Sequence, residues 1–253
     1  MIREEEWPVG EHPTLEVNVP VGLVEVHVGE RGVVVLTLDS ISAAEFEISK
    51  TGDRVAVRHP SRWSVRGRSC RVNVTVPAGT DVFVDVASAD VRLSGRLGNV
   101  RIRTASGEIE ADDAARLEVS TASGAVSAGD VEGDVSISTV SGDCSLRKVG
   151  GSVDATLTSG DLRIDRCAGD INVRSTSGST RVGHCDGSEI SVRSISGDVR
   201  LGLPSGIRVE ADVSTVSGKA SLPEPAAPSA GERRAVRLKL KTVSGDIRIV
   251  RSV

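Results

Sequence analysis

Residues 133–150 read GDVSISTVSGDCSLRKVG, and close copies of this stretch recur through the chain. Small or apolar residues alternate with serines from Val135 to Thr139, which is the period-two pattern of a strand with one buried face. A Ser-Gly-Asp break follows at 141–143, and the alternation resumes at Cys144 and Leu146. The stretch therefore predicts two short strands joined at a Ser-Gly corner.

The Ser-Gly pair returns at a nearly constant interval, which predicts a repeat architecture because each copy must bury its apolar face against the next. Successive glycines are 17 to 19 residues apart as far as Gly197, and the last two intervals are 21 and 27 residues. Apolar residues recur seven and five positions before the glycine and four positions after it. The glycine column consists of Gly107, Gly124, Gly142, Gly160, Gly178, Gly197, Gly218 and Gly245.

These recurring positions predict rungs that stack in register, with strands about 4.8 Å apart and continuous internal files of aliphatic side chains. Glycine fits the corner because it enters positive φ without the roughly 1–2 kcal/mol cost of an L-residue. We therefore expect an all-β fold, a β-solenoid-like stack of repeats of about 18 residues. A curled stack of short β-hairpins has the same period, so the period alone does not separate the two.

Two regions are predicted along the chain. Residues 11–80 lack the repeat but contain alternating strands separated by turns, which predicts an antiparallel meander or small sandwich that caps the open edge of the stack. Residues 81–253 form the predicted repeat stack, interrupted by a proline-rich loop at 223–234.

The composition argues against several classes of function. The formal charge is −4, which gives no global attraction to nucleic acid. Two Phe, two Trp and no Tyr leave few aromatic platforms for stacking on sugars or bases. The first residues, MIREEEW, are acidic, and no run of 18 apolar residues occurs, so we expect neither a secretory signal nor membrane insertion, and a cytoplasmic location.

The residues that could carry chemistry do not recur together. A serine nucleophile needs a base within hydrogen-bond reach, yet none of the four histidines recurs with the serine column. The four cysteines have no metal-ligand spacing and are expected to be buried and reduced: Cys70, Cys144, Cys167 and Cys185. His184 and Cys185 are strand neighbours that point to opposite faces. The sequence therefore predicts no catalytic residue, no metal site and no cofactor.

Two alternatives depend on the aspartates after the glycines. A calcium β-roll would need oxygen ligands from every rung, but Ala125 and Lys219 interrupt the carboxylate series. A polysaccharide-binding or polysaccharide-cleaving β-helix would gather carboxylates such as Asp143, Asp161 and Asp198 in a groove. The rungs are short and lack the long loops that would form the walls of such a groove.

Two stretches are candidates for contact with a partner. One is a loop without acidic residues that contains Arg62, Trp63, Arg66, Arg68 and Arg71, in which the forked guanidinium groups would bind an acidic partner. A solvated loop, whose arginines offset nearby carboxylates, is the alternative. The other candidate is the last rung, Val236–Val250, whose edge could pair with a second chain.

The repeated Ser-Gly-Asp strings, as in 141–143, 159–161 and 196–198, resemble a bacterial family of unknown function called “putative adhesin” or the toastrack domain. The resemblance covers about residues 11–253. It implies an N-terminal β region followed by stacked repeats, a link to envelope-stress systems, and no catalytic residues. The function that it implies is a protein-interaction scaffold, with a protein partner or a second copy bound through the long faces or a terminal strand edge.

Overall fold

A computed structural model describes residues 1–30, 32–41, 43–59, 70–222 and 235–252. Within these ranges the regular structure is β, apart from a short 3₁₀ turn at Ala43–Glu45. The strands are β1 (Ile2–Pro8), β2 (Thr14–Val28), β3 (Val33–Asp39), β4 (Glu47–Thr51), β5 (Arg54–Arg58), β6 (Cys70–Val76), β7 (Asp81–Ser106), β8 (Ile109–Ser123), β9 (Val126–Val131), β10 (Val135–Ser141), β11 (Cys144–Val149), β12 (Val153–Ser159), β13 (Leu162–Cys167), β14 (Ile171–Ser177), β15 (Thr180–Cys185), β16 (Glu189–Ser196), β17 (Val199–Pro204), β18 (Arg208–Ser217), β19 (Ala220–Ser221), β20 (Ala235–Ser244) and β21 (Ile247–Ser252).

The chain divides into two compact units, Met1–Gly129 and Asp130–Val253. In the second unit each rung contributes one strand before its corner glycine and one after it. The strands before the glycines pair in parallel as a first ladder, in the order β10, β12, β14, β16, β20 and β18. The strands after the glycines form a second ladder, in the order β11, β13, β15, β17, β21 and β19. The predicted β-solenoid-like stack is confirmed.

The register of the ladders follows the repeat of the sequence. Val135 lies opposite Val153, and Val153 lies opposite Ile171, so equivalent residues of successive rungs are neighbours. The inward side chains form a continuous aliphatic core: Leu146 and Ile164 are fully buried on neighbouring strands of the second ladder. The outward positions between them are mostly polar and exposed, as the period-two pattern requires.

The corner glycines are required by two geometric features. Their φ angles lie between +120° and +153° in the second unit, for example +125° at Gly160, and L-residues rarely adopt this conformation. A Cβ atom on Gly160 would also overlap the carbonyl oxygen of Gly142 in the rung below. Positive φ at these corners confirms the prediction from the sequence, and the close stacking of the corners is an additional reason for glycine.

The end of the second unit differs from the expected order. The last segment of the chain does not form the outer edge, because β20 lies between β16 and β18 and pairs with both. The outermost strand of the first ladder is therefore β18, and β19 has the same position in the second ladder. Val236–Val250 is an inner rung, so the expectation that its edge is open was wrong.

The first unit combines antiparallel and parallel pairs. The antiparallel pairs are β1 with β3, β3 with β6, and β4 with β5, which confirms the antiparallel N-terminal region. Its long strand β2 is different, because it runs parallel to β5, β6 and β7. The domain boundary near residue 80 stays a prediction.

Candidate functional site

The arginine-rich loop falls largely outside the described residues. Arg62, Trp63, Arg66 and Arg68 lie in the undescribed range 60–69. Arg71 is described: it is exposed on β6 and lies opposite Asp39 of β3 in the antiparallel register. The proposed acidic-partner site in this loop therefore stays a prediction.

The aspartates that follow corner glycines, such as Asp143, Asp161 and Asp246, have a structural role that the sequence reasoning missed. One carboxylate oxygen accepts a hydrogen bond from the backbone N–H of the equivalent residue in the next rung. Asp143 accepts from Asp161 at 2.9 Å, and Asp161 accepts from Ser179 at 2.8 Å. At the other end of the unit, Asp246 accepts from Lys219 at 2.8 Å. The side chain thus supplies an acceptor where the chain turns the corner.

A second set of polar residues does the same at the opposite end of several rungs. Asp134 accepts a hydrogen bond from the backbone N–H of Ser152 at 3.0 Å, and Asp170 accepts from Ser188 at 2.8 Å. Both aspartates follow a glycine, Gly133 and Gly169. The recurrence of Gly-Asp was visible in the sequence, and the backbone contact between rungs is its physical reason.

The structure places one serine beside a histidine, and that serine is not in the Ser-Gly column. His27 Nδ1 lies 2.6 Å from Ser94 Oγ because β2 and β7 run in parallel register. A catalytic pair also needs a group that orients the imidazole. Within the described part of the chain, the other ring nitrogen of His27 makes no hydrogen bond, so the third member of such an arrangement is not seen there.

The four cysteines are free and buried. Burial raises the pKa of the Cys70 thiol to about 11, and burial together with the nearby Asp143 carboxylate raises the pKa of the Cys144 thiol to about 12. Cys167 and Cys185 lie opposite each other on β13 and β15. The hydrogen bond between their thiols and the burial of the pair raise the pKa of Cys167. These thiols pack as small apolar groups.

No metal site emerges from the described residues. Within them, no three side chains of His, Cys, Asp or Glu stand close enough together to hold a metal ion. His184 instead contacts Asp186, with 3.2 Å between Nε2 and Oδ2.

The terminal rung, β18 with β19, is the most open part of the second unit. Among the described residues β18 pairs along one edge only, with β20. Val209 and Val213 of β18 are only half-buried, whereas their partners Val236 and Leu240 in β20 are 1% and 0% exposed. The inner face and one edge of this strand are therefore both accessible.

An exposed apolar column adjoins this edge. The residue two positions before the corner glycine is Ile195 in β16, Val243 in β20 and Val216 in β18, and these are three successive rungs. Their exposed fractions are 55%, 50% and 83%. We define the terminal edge site as β18 together with Ile195 and Val243. Among the described residues, it combines a strand edge without a pairing partner with exposed aliphatic side chains.

The comparisons with known proteins agree with this architecture. The family model described as Toastrack DUF4097 matches residues 24–250. The chain belongs to this family. The resemblance stated from the Ser-Gly-Asp strings is therefore confirmed. No curated protein matches this toastrack chain in sequence.

Several solved structures resemble the toastrack chain over nearly its whole length. A “putative adhesin” from Bacteroides fragilis is 12% identical, with 99% of this chain and 97% of that chain covered and a TM-score of 0.49. A “putative adhesin” from Parabacteroides distasonis is 11% identical, with 99% and 97% covered and a TM-score of 0.43. A “putative lipid binding protein” from the same species is 10% identical, with 97% and 96% covered and a TM-score of 0.42. At these scores the three structures carry no information about what this toastrack chain binds.

In the ranges of the toastrack chain that the structure describes, no helix has the length and apolar character needed to cross a bilayer.

Proposed function

We propose that this toastrack chain is a non-enzymatic protein-interaction scaffold that binds a protein strand, from a partner or from a second copy, at the terminal edge site. The observation that carries the proposal is the openness of β18, which pairs on one side only among the described residues. A strand edge presents a row of backbone donors and acceptors to a second strand.

The side chains of the site support strand addition. A strand placed beside β18 would cover Val209 and Val213, which are half-buried at present. It would also extend the exposed column of Ile195, Val243 and Val216. Burial of apolar surface contributes about 25 cal/mol per Å², so the added rung would gain both backbone hydrogen bonds and apolar contact.

The contacts of two aspartates support the non-enzymatic part of the proposal. Asp143 and Asp161, the candidates for carbohydrate cleavage, each use a carboxylate oxygen to accept a backbone hydrogen bond from the next rung. The link to envelope-stress signalling depends on the family resemblance alone, and it stays a prediction, as does the cytoplasmic location.

The experiment compares two lysine substitutions in β18. Val213→Lys puts a charge on the inward side that a new strand would cover, which opposes edge pairing. Ser214→Lys adds the same charge at the neighbouring outward position, which is exposed. We expect light scattering of the wild-type chain, alone and with proteins of its host, to show a complex that Val213→Lys abolishes and Ser214→Lys retains.

Two results would contradict the proposal. One is a wild-type chain that stays monomeric at every concentration and recovers no reproducible partner from the host. The other is an equal loss of the complex in both lysine variants, which would show that added charge acts without regard to the edge.

A further inference from the structure

The outward face of the last three strands in the first ladder carries charges of alternating sign. Glu189 of β16 lies opposite Arg237 of β20, and Arg237 lies opposite Glu210 of β18. Two positions further along the same strands, Lys239 lies opposite Asp212. Opposite charges on directly opposed strand positions stabilise a sheet. A strand beside β18 would therefore continue the alternation if it placed basic residues opposite Glu210 and Asp212.

The ion pairs of β20 show how this alternation is used within the chain. Lys239 contacts Glu189 of β16 at 2.7 Å, and its hydrogen bond lowers the pKa of that carboxyl group. On the other side of β20, Lys241 contacts Asp212 of β18 at 3.1 Å. A basic strand thus lies between two strands that carry acidic residues.

The two carboxylates of β18 follow one another along the open edge. Glu210 and Asp212 are two residues apart, so they share one face of the strand. Their side chains are 49% and 62% exposed. Among the described residues no strand lies on the outer side of β18, so the charge order ends there on two acidic groups.

The strand β20 shows which residue pattern fits beside β18. Its inward residues Val236, Leu238 and Leu240 are 1%, 0% and 0% exposed, and they alternate with three basic residues. The inward residues Val209 and Val213 of β18 are half-buried. A strand of the same pattern on the outer side of β18 would cover these valines and match the carboxylates.

Two further strands, β1 and β4, also pair along one edge only among the described residues. On β1 the half-buried positions include Arg3 and Glu5, which lie opposite the buried Leu38 and Leu36. Charged residues at inward positions protect a strand edge against pairing. β18 has valines at such positions, so its edge lacks this protection.

A second copy of the chain supplies no matching strand from these edges. The exposed positions of β1 include Glu4 and Glu6, and β4 contains a single basic residue, Lys50. The β18 strand of a second copy would bring its own Glu210 and Asp212. Like charges directly opposite each other destabilise a sheet, so the charges of these edges disfavour a second copy.

The corner of the terminal rung argues for a single strand and against a complete further rung. Asp198 accepts a hydrogen bond from the N–H of Asp246, and Asp246 accepts one from the N–H of Lys219, each at 2.8 Å. Lys219 itself has donors and no acceptor in its side chain, so the series of carboxylate acceptors ends at this residue. The strand after this corner, β19, is only two residues long.

We infer that the strand that adds to β18 belongs to a partner protein and alternates apolar with basic residues, so that two basic residues lie opposite Glu210 and Asp212. The inference rests on the proposed strand addition and names its occupant. Two basic residues separated by one apolar residue have the same spacing in either chain direction. The pattern therefore suits a parallel or an antiparallel strand.

The probe is a synthetic peptide of residues 235–244 in which Lys241→Ser leaves one basic residue for each carboxylate. A shuffled peptide, in which Leu238 and Lys239 are also exchanged, keeps the composition and net charge but breaks the alternation. Calorimetry measures the affinity of both peptides for the full chain at two salt concentrations.

The test variant of the chain is Glu210→Gln with Asp212→Asn. The control variant is Glu30→Gln with Glu108→Gln, which removes the same charge from two exposed residues outside the strands. All four side chains are exposed, and exposed ion pairs contribute little to stability. Both variants should therefore keep the melting temperature of the wild type.

We expect the wild type to bind the alternating peptide, with an affinity that falls as salt rises. The test variant should bind it about fivefold more weakly, because two opposite-charge pairs across the strands are lost. The control variant should stay within about twofold of the wild type, because distant exposed charges are screened. Val213→Lys should abolish binding, whereas Ser214→Lys should retain it.

The inference and the proposed function fail in different ways. Equal affinity for the two peptides, equal losses in the test and control variants, or no binding of the alternating peptide by the wild type would each overturn the inference. A dimer of the wild type that Val213→Lys dissociates and Ser214→Lys retains would support strand addition but overturn the basic partner. Equal losses of every complex in the two lysine variants would contradict strand addition itself.

Discussion

An inner rung and the terminal rung of the second unit carry similar sequences but differ in burial. In β12 the two positions seven and five residues before the corner glycine are Val153 and Ala155, which are 1% and 0% exposed. In β18 the same two positions are Ala211, which is exposed, and Val213, which is half-buried. The difference arises because β12 has a rung on each side in the ladder, whereas β18 has one neighbour among the described residues.

This comparison shows that the same apolar positions of the repeat stabilise the inner rungs and are left accessible in the terminal rung. Each rung buries the apolar face of the one before it, so stability in such a stack comes largely from contacts between neighbours. A rung without a second neighbour loses those contacts and keeps its edge available. The same residue pattern thus gives a buried core position in β12 and, within the described ranges of the chain, an open edge in β18.

The largest effect is expected from truncating the core of an inner rung. Leu146→Ala should lower the free energy of unfolding by about 2–5 kcal/mol, because Leu146 is fully buried and its removal leaves a cavity. Val213→Ala in the terminal rung should cost less than about 1 kcal/mol, since that side chain is only half-buried. Denaturant unfolding measures both. Equal costs would show that β18 is covered as fully as the inner rungs.

The next largest loss of stability is expected when alanine replaces a corner glycine. Gly160→Ala should cost about 2 kcal/mol or more, because it adds the strain of an L-residue at φ +125° to the overlap with Gly142. Gly206→Ala is the control: Gly206 has φ +81° but nothing within 4 Å of the added Cβ, so only the roughly 1–2 kcal/mol of strain applies. Chemical denaturation would distinguish them. If both variants lost the same free energy of unfolding, the close stacking of the corners would contribute nothing to the cost of Gly160→Ala.

The sequence alone predicted the part of the fold that repeats. The interval between glycines and the recurring aliphatic positions specified the register, because both record which residues lie above one another. The order of the last rungs could not be predicted from the sequence. The spacing between Gly218 and Gly245 gives the length of the connecting segment, but it does not indicate which strand the segment after it pairs with. The insertion of β20 between β16 and β18 is a long-range pairing with no local signature.

The candidate surfaces were harder to predict for the same reason. Ile195 and Val243 of the terminal edge site are separated by 48 residues, and only the ladder order shows that they are neighbours. The aspartates after the glycines were visible as a recurring residue type. Their hydrogen bonds to the next rung could not be read from the sequence, because they depend on how closely the corners approach.

A smaller effect is expected from those aspartates. Asp161→Ala should lower the free energy of unfolding by about 1 kcal/mol, because the N–H of Ser179 loses its 2.8 Å acceptor. Asp246→Ala, which removes the acceptor for Lys219 of the terminal rung, should cost less, since Lys219 is exposed and water can replace the carboxylate there. Thermal unfolding of the two variants, together with Asp161→Asn, checks this order. The asparagine keeps a carbonyl acceptor and should recover most of the loss.

The smallest effect is expected at the repeated serine. Ser141 is exposed, and an exposed hydroxyl exchanges one hydrogen-bond partner for water at little cost, so Ser141→Ala should change the free energy of unfolding by less than about 1 kcal/mol. The equivalent serine of the terminal rung, Ser217, is exposed as well, so Ser217→Ala should give the same small value. Here the inner and terminal rungs should agree, because outward positions do not depend on a neighbouring rung for burial. A large loss of unfolding free energy in Ser141→Ala but not in Ser217→Ala would show that the Ser141 hydroxyl has a role that the stacking of rungs does not explain.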